Sequence, residues 1–202
     1  MKFILKGCCA LVITLVIFSG LLCADINDEL KKLEPIKTLK ADFVQETNIE
    51  GFGKDFYKGK IYLISSEKVL WDYSEPYNQY YIFTVDTMEY YDSTTNQLIR
   101  QSSQNNSSNA IIFFLLMDVS SVNNLFDVVN IDANTFRLNP KSDLGLKFVD
   151  ISFGKNFIRE ISSQDNVGNL TKVTFSNIKF NITIPESTFK KDIPKDAEIF
   201  SY

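Results

Sequence analysis

The strongest constraint on the fold is a two-residue alternation of apolar and polar side chains, which begins after Pro35 and recurs along most of the chain. β-branched and aromatic residues dominate these runs, as is typical of strands whose successive side chains point to opposite faces. The runs are residues 39–47, 56–65, 69–73, 79–85, 87–91, 97–100, 125–131, 135–138, 146–153, 157–162, 170–175 and 178–184. Short strands at such regular spacing predict an antiparallel sheet that curls into a sandwich or a barrel.

Two segments depart from this alternation. Residues 25–32 have helical periodicity, with acidic residues in the first turn and basic residues in the last, and Pro35 ends the predicted helix. Residues 101–109 are all Gln, Ser or Asn, and they predict a flexible loop. The loop leads into the apolar residues 110–117, which predict a second helix that is too short to span a bilayer.

Several of the predicted strands are apolar on both faces. Ile61 and Leu63 lie opposite Tyr62 and Ile64 in the alternation. A sheet with one face in water would be polar on that face, so these strands need a cover on both sides. Two interpretations remain open: a filled core with helix 110–117 as its plug, or a concave apolar cavity with that helix as a movable lid.

The composition excludes many kinds of chemistry. The chain contains no histidine, which excludes Ser-His-Asp and Cys-His mechanisms and histidine-based zinc sites. The carboxylate pairs Glu46/Glu50, Glu89/Asp92 and Asp127/Asp132 are more simply explained as solvated strand ends and turns. The net charge of −4 argues against nucleic acid. We therefore expect no enzymatic activity, no cofactor and no metal.

The first residues predict export. Lys2 and Lys6 precede the uncharged residues 7–22, and Asp25 begins a polar region directly after Ala24. This order is typical of a secretory signal peptide, so we expect residues 1–24 to be cleaved and residues 25–202 to form one domain. The alternatives are a membrane anchor and lipidation of Cys23, although the large Leu22 before that cysteine is unfavourable for lipidation.

The order of short motifs resembles the LolA family of periplasmic outer-membrane lipoprotein carriers. The resemblance covers nearly all of residues 25–202, and the motifs include an opening strand with the pattern aromatic, any residue, Gln, here Phe43-Val44-Gln45. The matching segments are residues 39–45, 59–63, 70–76, 90–92, 175–177 and 189–198. None of them is diagnostic alone, but six in order are fairly specific.

The resemblance implies a mainly β fold with a helical lid (α+β). It would be an incomplete, unclosed antiparallel β-barrel of about eleven strands around an apolar cavity. A member of this family takes acylated lipoproteins from an inner-membrane ABC exporter and carries them through the periplasm to the outer membrane, where a receptor of similar fold can accept them. We expect a monomer.

The resemblance also implies which residues contact acyl chains. The positions that match the family's cavity are Leu33, Leu39, Phe43, Val69 and Trp71. From helix 110–117 we add Ile111, Phe114 and Leu115 on the basis of their hydrophobicity.

One position departs from the family pattern. The family has Arg-Pro six residues before its Trp, and that Arg latches the lid, but here the place is taken by Ser65-Ser66. A hydroxyl cannot replace the five donors of a guanidinium, so the sequence predicts a lid that is latched more weakly or by another group, for which Lys68 and Arg100 are the candidates.

Two other functions remain as alternatives. The chain could be the outer-membrane receptor of the same fold, anchored through Cys23, or a periplasmic domain that senses lipoproteins. Acyl chains on the mature N-terminus would identify the receptor.

Overall fold

The computed structural model describes residues 25–102, 122–155 and 157–202. Most of these residues lie in strands, as the alternation predicts. The strands are β1 (Thr38–Ile49), β2 (Gly53–Ile64), β3 (Lys68–Glu75), β4 (Gln79–Thr84), β5 (Thr87–Asp92), β6 (Gln97–Ser102), β7 (Phe126–Asn130), β8 (Thr135–Pro140), β9 (Leu146–Phe153), β10 (Ile158–Asp165), β11 (Leu170–Phe180) and β12 (Glu198–Ser201). The helices are α1 (Ile26–Lys31), α2 (Val122–Leu125) and the 3₁₀ helix Glu186–Phe189. The predicted helix 110–117 lies outside the described residues.

All twelve strands belong to one sheet, in the order β12-β6-β5-β4-β3-β2-β1-β11-β10-β9-β8-β7. Neighbouring strands are antiparallel, except that β12 runs parallel to β6. Within the described part of the chain, β12 and β7 end the sheet without pairing with each other, so it is not closed. The expected mainly β, incomplete antiparallel barrel is therefore confirmed, with twelve strands instead of about eleven.

The sheet curls, so that strands far apart in its order line one cavity. The larger cluster of buried side chains lies on what we call the inner face, and it contains residues of every strand from β4 to β7 in the order of the sheet. Tyr81 on β4 and Leu146 on β9 line the same cavity, although five strands separate them in the sheet. Helix α1 packs at the end of the inner face where β1 begins, through Ile26 and Leu30.

A second, smaller cluster explains why β2, β3 and β4 are apolar on both faces. It lies on the outer face and consists of Leu70, Tyr80, Ile82, Tyr91, Leu98 and Phe189. Ile184, Ile193 and Ala197 pack against it. The largely irregular residues 182–197, which we call the C-terminal segment, cover this outer cluster.

This segment begins where the sequence predicted a strand. The prediction of a strand over 178–184 is right as far as Phe180 and wrong beyond it, because Asn181 has a positive φ of 50° and ends β11. The Asn181 Oδ1 accepts a hydrogen bond of 2.7 Å from the Lys37 amide, which holds this turn against the start of β1. Apolar residues continue to alternate, but Ile178 and Phe180 pack on the inner cluster and Ile184 packs on the outer one.

Other predictions from the sequence hold closely. The predicted helix at 25–32 is α1, and the Asp25 side chain caps it by accepting from the Asn27 amide at 3.0 Å. The turn at Gly51-Phe52-Gly53 joins β1 to β2 as a hairpin, and both glycines have a positive φ, of 82° and 100°. In the described residues, no helix is long and apolar enough to cross a bilayer.

Candidate functional site

A cavity of about 320 Å³ opens on the inner face, at the end of the sheet remote from α1. It lies between the second half of β1 and the strands that pair with it on both sides. The lining residues are Gln45, Thr47, Ile49, Tyr57, Trp71, Tyr73, Gln79, Tyr81, Leu146, Ser163, Asp165, Asn169, Thr171 and Val173. The volume is at the lower end of the range for small-molecule sites, about 300–1,000 Å³.

The cavity lies at this end because three strands change the character of their inner residues there. Along β1 the inner positions are apolar as far as Phe43 and then become Gln45 and Thr47. On β11, Phe175 and Val173 are followed toward the cavity by Thr171, and β10 changes in the same way to Ser163 and Asp165. Toward the opposite end, the inner-face side chains of β1 (Leu39, Ala41 and Phe43) are buried.

Aromatic rings form the wall between the packed end and the cavity. The Phe43 ring lies 4.8 Å from the ring of Trp71 and 5.0 Å from that of Tyr73, centroid to centroid. Trp71 also contacts the Phe175 ring edge-on at 5.9 Å, and Tyr73 contacts Tyr81 at 6.3 Å. Edge-on and tilted pairs of this kind are the favoured arrangements of aromatic side chains, so the wall is a packed unit.

A chain of hydrogen bonds crosses this wall and reaches the opening. The Tyr73 hydroxyl donates to Gln45 Oε1 at 2.8 Å, and Gln45 Nε2 donates to Thr47 Oγ1 at 3.1 Å. The Thr47 and Thr171 hydroxyls are 3.5 Å apart, so either can donate to the other. Polar groups therefore face the cavity in a fixed arrangement, although the residues behind them are apolar.

The cavity carries little charge. Burial raises the pKa of Tyr57 to about 12 and raises the pKa of Tyr73 and of Tyr81 as well, so these phenols are neutral at neutral pH. Among the described residues that line the cavity, Asp165 is the one with a formal charge. Its carboxylate already accepts from the amides of Val167 and Asn169, at 3.0 and 2.9 Å, and so it holds the β10–β11 turn. A neutral, largely apolar ligand suits such a site.

The structure brings the predicted acyl-binding residues of the described chain together, although not all of them at the cavity. Leu33, Leu39, Phe43, Val69 and Trp71 belong to the inner cluster, and none is more than 8% exposed. Trp71 lines the cavity, Phe43 lies directly behind it, and Leu39 and Val69 lie at the packed end. Ile111, Phe114 and Leu115 lie outside the described residues. Contact of all eight with acyl chains stays a prediction.

Ser65, at the position of the family's latch, lies in the turn between β2 and β3. It is half-buried, and its amide donates to the Lys37 carbonyl at 2.8 Å. Lys68 and Arg100, the two candidates to replace the latch arginine, lie on the outer face and form ion pairs there. Lys68 pairs with Glu186 of the C-terminal segment at 2.8 Å, and Arg100 pairs with Glu89 of β5 at 2.7 Å.

Carboxylates of the three pairs that could have served in catalysis have structural partners. Glu46 pairs with Lys54 across the β1–β2 hairpin, and Glu89 accepts from the Tyr80 hydroxyl as well as from Arg100. The Asn134 amide bonds to Asp132 and lowers the pKa of that carboxyl. Within the described ranges, no group of three or more Cys, Asp or Glu side chains could hold a metal ion.

The sequence interpretation missed the polar residues of the cavity. Gln45 was noticed as part of a motif, but Thr47, Thr171 and Ser163 were not singled out. The available signal was their position, because each stands where the alternation requires an inner-facing apolar residue. That signal becomes visible only when the pairing of β1, β10 and β11 is known.

Comparison with known proteins gives consistent results. The family model described as outer membrane lipoprotein carrier protein LolA matches residues 34–192. An outer-membrane lipoprotein carrier protein of Francisella philomiragia is 29% identical over 194 residues, which are 94% of this chain and 95% of that protein. A protein of the same name from Pseudomonas putida is 26% identical over 180 residues, 87% of each chain.

Solved structures support the fold alone. A conserved protein from Thermus thermophilus superposes with a TM-score of 0.54 at 14% identity, covering 88% of this chain and 100% of that one. A protein of the DUF1329 family from Desulfovibrio piger also gives 0.54, at 13% identity, covering 82% and 94%.

Proposed function

Because the chain belongs to the LolA family of outer membrane lipoprotein carrier proteins, we propose that it binds the acyl chains of lipoproteins and carries them through the periplasm. The observation that supports this best is the aromatic-walled cavity on the inner face of an unclosed sheet, which has a single charged residue in its described lining. Since no acid–base or metal chemistry is needed to shield an apolar chain, the chain acts in this proposal as a carrier and not as an enzyme.

The energetics of the cargo explain why such a carrier is required. Burial of one methylene is worth about 0.8 kcal/mol, so a sixteen-carbon chain exposed to water loses on the order of 12 kcal/mol. A lipoprotein with several chains cannot cross an aqueous compartment unaided. The inner face offers it a surface of Phe, Trp, Tyr and aliphatic side chains that is continuous from the cavity to α1.

The cavity alone is too small for several chains, so we propose that loading separates part of the inner cluster. An unclosed sheet can widen because no hydrogen bonds join β12 to β7 in the described chain. The eight residues named above would then line the widened interior, with Leu39 and Val69 exposed to cargo only in the loaded state.

The remaining steps follow the family. Residues 1–24 would direct export and be removed, leaving residues 25–202 as a periplasmic monomer. An inner-membrane ABC exporter would load the carrier and supply the energy, and the cargo would pass to the outer membrane, through a receptor where one is present.

Trp71 provides a direct test, because it is the single tryptophan of the chain and it lines the cavity. A triacylated lipopeptide with brominated acyl chains quenches an indole that it touches. We expect saturable quenching of Trp71 fluorescence and a one-to-one complex in native mass spectrometry.

Two variants on the outer face serve as controls. In the double variant Trp71→Phe/Phe56→Trp the indole lies on the exposed outer face of β2, and binding should no longer quench it. Tyr81→Glu places a charge at the cavity and should abolish binding, whereas Val44→Glu, on the outer face of β1, should not. Absence of quenching and of a complex in the folded wild type would contradict the proposal.

A further inference from the structure

The inner face keeps unused hydrogen-bond donors at the cavity. Gln45 Nε2 carries two hydrogens, of which one is donated to Thr47 Oγ1, and among the described residues nothing accepts the other. The Thr47 and Thr171 hydroxyls share one hydrogen bond between them, so one of their two hydrogens is also available. Two donors therefore stand together at the boundary between the aromatic wall and the opening.

The charge of the lining restricts which acceptor these donors can bind. The described lining contains no Lys or Arg, and its one formal charge is the carboxylate of Asp165. A free fatty-acid carboxylate or a phosphate would meet a like charge and no cation to balance it. A neutral carbonyl oxygen attached to a long apolar chain meets neither difficulty.

We propose that Gln45, Thr47 and Thr171 bind the ester and amide carbonyls through which the acyl chains of the cargo are linked to its polypeptide. This inference rests on the proposed carrier function and adds to it a site for the polar part of the same ligand. Apolar chains run from this point along the aromatic wall toward the packed end. The site thereby fixes how deeply the cargo enters and leaves the polypeptide at the opening.

The test compares two lipopeptides of equal chain length, one triacylated with ester-linked chains and one with the two esters replaced by ethers. The wild type should bind the ester form about five to ten times more tightly, since neutral hydrogen bonds of this kind change a Kd by that order. Equal affinity of the wild type for both ligands would overturn the proposal.

Thr47→Val/Thr171→Val should reduce this preference, because it takes away both hydroxyls and keeps the β-branched shapes, whereas Thr171→Val alone would leave the Thr47 hydrogen free to bind the same acceptor. Thr174→Val is the matched control: it lies on the exposed outer face of the same strand and should keep the preference in full. A Thr47→Val/Thr171→Val protein that still favours the ester form as strongly as the wild type would count against the site.

Gln45 needs a paired variant, because Gln45→Leu alone would leave the buried Tyr73 hydroxyl without its acceptor. Gln45→Leu/Tyr73→Phe removes both partners of that bond and should also reduce the preference for the ester form, with the affinity for the ether form kept. If the folded wild type bound neither lipopeptide, the carrier function itself would be refuted. That result differs from equal affinity of the wild type for the two lipopeptides, which refutes only the carbonyl site.

A diacyl phospholipid of the same chain length distinguishes the two natural sources of ester carbonyls. Its phosphate would lie near Asp165, so we expect it to bind more weakly than the lipopeptide. Phospholipid binding as tight as that of the lipopeptide would overturn the assignment of the site to lipoprotein cargo.

Discussion

At the scale of single residues, the aromatic wall depends on one glycine. Gly59 pairs with Phe43 across the β1–β2 hairpin, and the Phe43 ring lies over it. A Cβ at this position would overlap the Asp72 carbonyl oxygen and come within 2.8 Å of the Phe43 ring. A glycine inside a strand often marks such a close approach. The resemblance drew attention to Gly59, but its cause is visible only in the packing.

We therefore expect Gly59→Ala to lower the free energy of unfolding by about 1–3 kcal/mol, the range for an overfilled site. Urea denaturation followed by circular dichroism would measure it. Lys60→Ala is the control, since the adjacent Lys60 is exposed and its ion pair with Asp42, at 3.5 Å, lies at the surface. Equal stability of the two variants would show that Phe43 can move aside without loss.

The tyrosines of the cavity predict how stability depends on alkaline pH. Burial holds the pKa of Tyr57 at about 12, against 10.0 for an unperturbed phenol, and it raises the pKa of Tyr73 and Tyr81 too. Between pH 10 and 12 the unfolded chain loses these protons and the folded chain keeps them. Stability is thus complete below pH 10 and falls as the pH rises toward 12.

This expectation can be measured by following phenolate absorbance and circular dichroism together from pH 9 upward. Part of the tyrosine absorbance should appear only as the protein unfolds, and Tyr57→Phe should make stability less sensitive to pH in this range. Complete ionisation of all nine tyrosines near pH 10 with the fold intact would contradict the expectation.

At the scale of elements, regular strands could be predicted and the irregular cover could not. A strand such as β1 could be predicted because every second residue of its first half is apolar and buried, namely Leu39, Ala41 and Phe43. Strand β12 has no such signal: its four residues are all exposed, and it pairs with β6, about a hundred residues earlier. The C-terminal segment contacts the outer cluster through residues at irregular spacing, so no period reveals it.

The cover nevertheless has a single main anchor. Phe189 is 9% exposed in the outer cluster, and Lys68 holds it by lying 5.1 Å above its ring while pairing with Glu186. We expect Phe189→Ala to lower the free energy of unfolding by about 3 kcal/mol or more, as for other buried aromatic residues. Tyr202→Ala, at an exposed position, is the control. Thermal unfolding with a similar midpoint in both variants would mean that the segment is not part of the cooperative fold.

At the scale of the whole molecule, the question left open by the sequence was whether the interior is filled or hollow, and the structure contains both conditions. Among the described residues, the inner-face side chains between α1 and the Phe43 wall are buried, and the cavity lies beyond that wall. Sequence alternation assigns each residue to a face, but it cannot give distances across strands that are far apart in sequence. For the same reason the sequence could not order Leu33, Leu39, Phe43, Val69 and Trp71 along the inner face, although all five belong to the same cluster.

If cargo must separate the packed end, then weakening that packing should favour the loaded state. Leu63 and Leu70 are both buried, Leu63 beside Leu39 in the inner cluster and Leu70 in the outer one. Either change to Ala should lower the free energy of unfolding by about 2–5 kcal/mol. Because separating the packed end of the empty carrier costs free energy, Leu63→Ala should bind the triacylated lipopeptide several-fold more tightly than the wild type, while Leu70→Ala should not. Titration of each variant by native mass spectrometry makes the comparison. If both variants bind like the wild type, the packed end stays closed and cargo is held at the cavity alone.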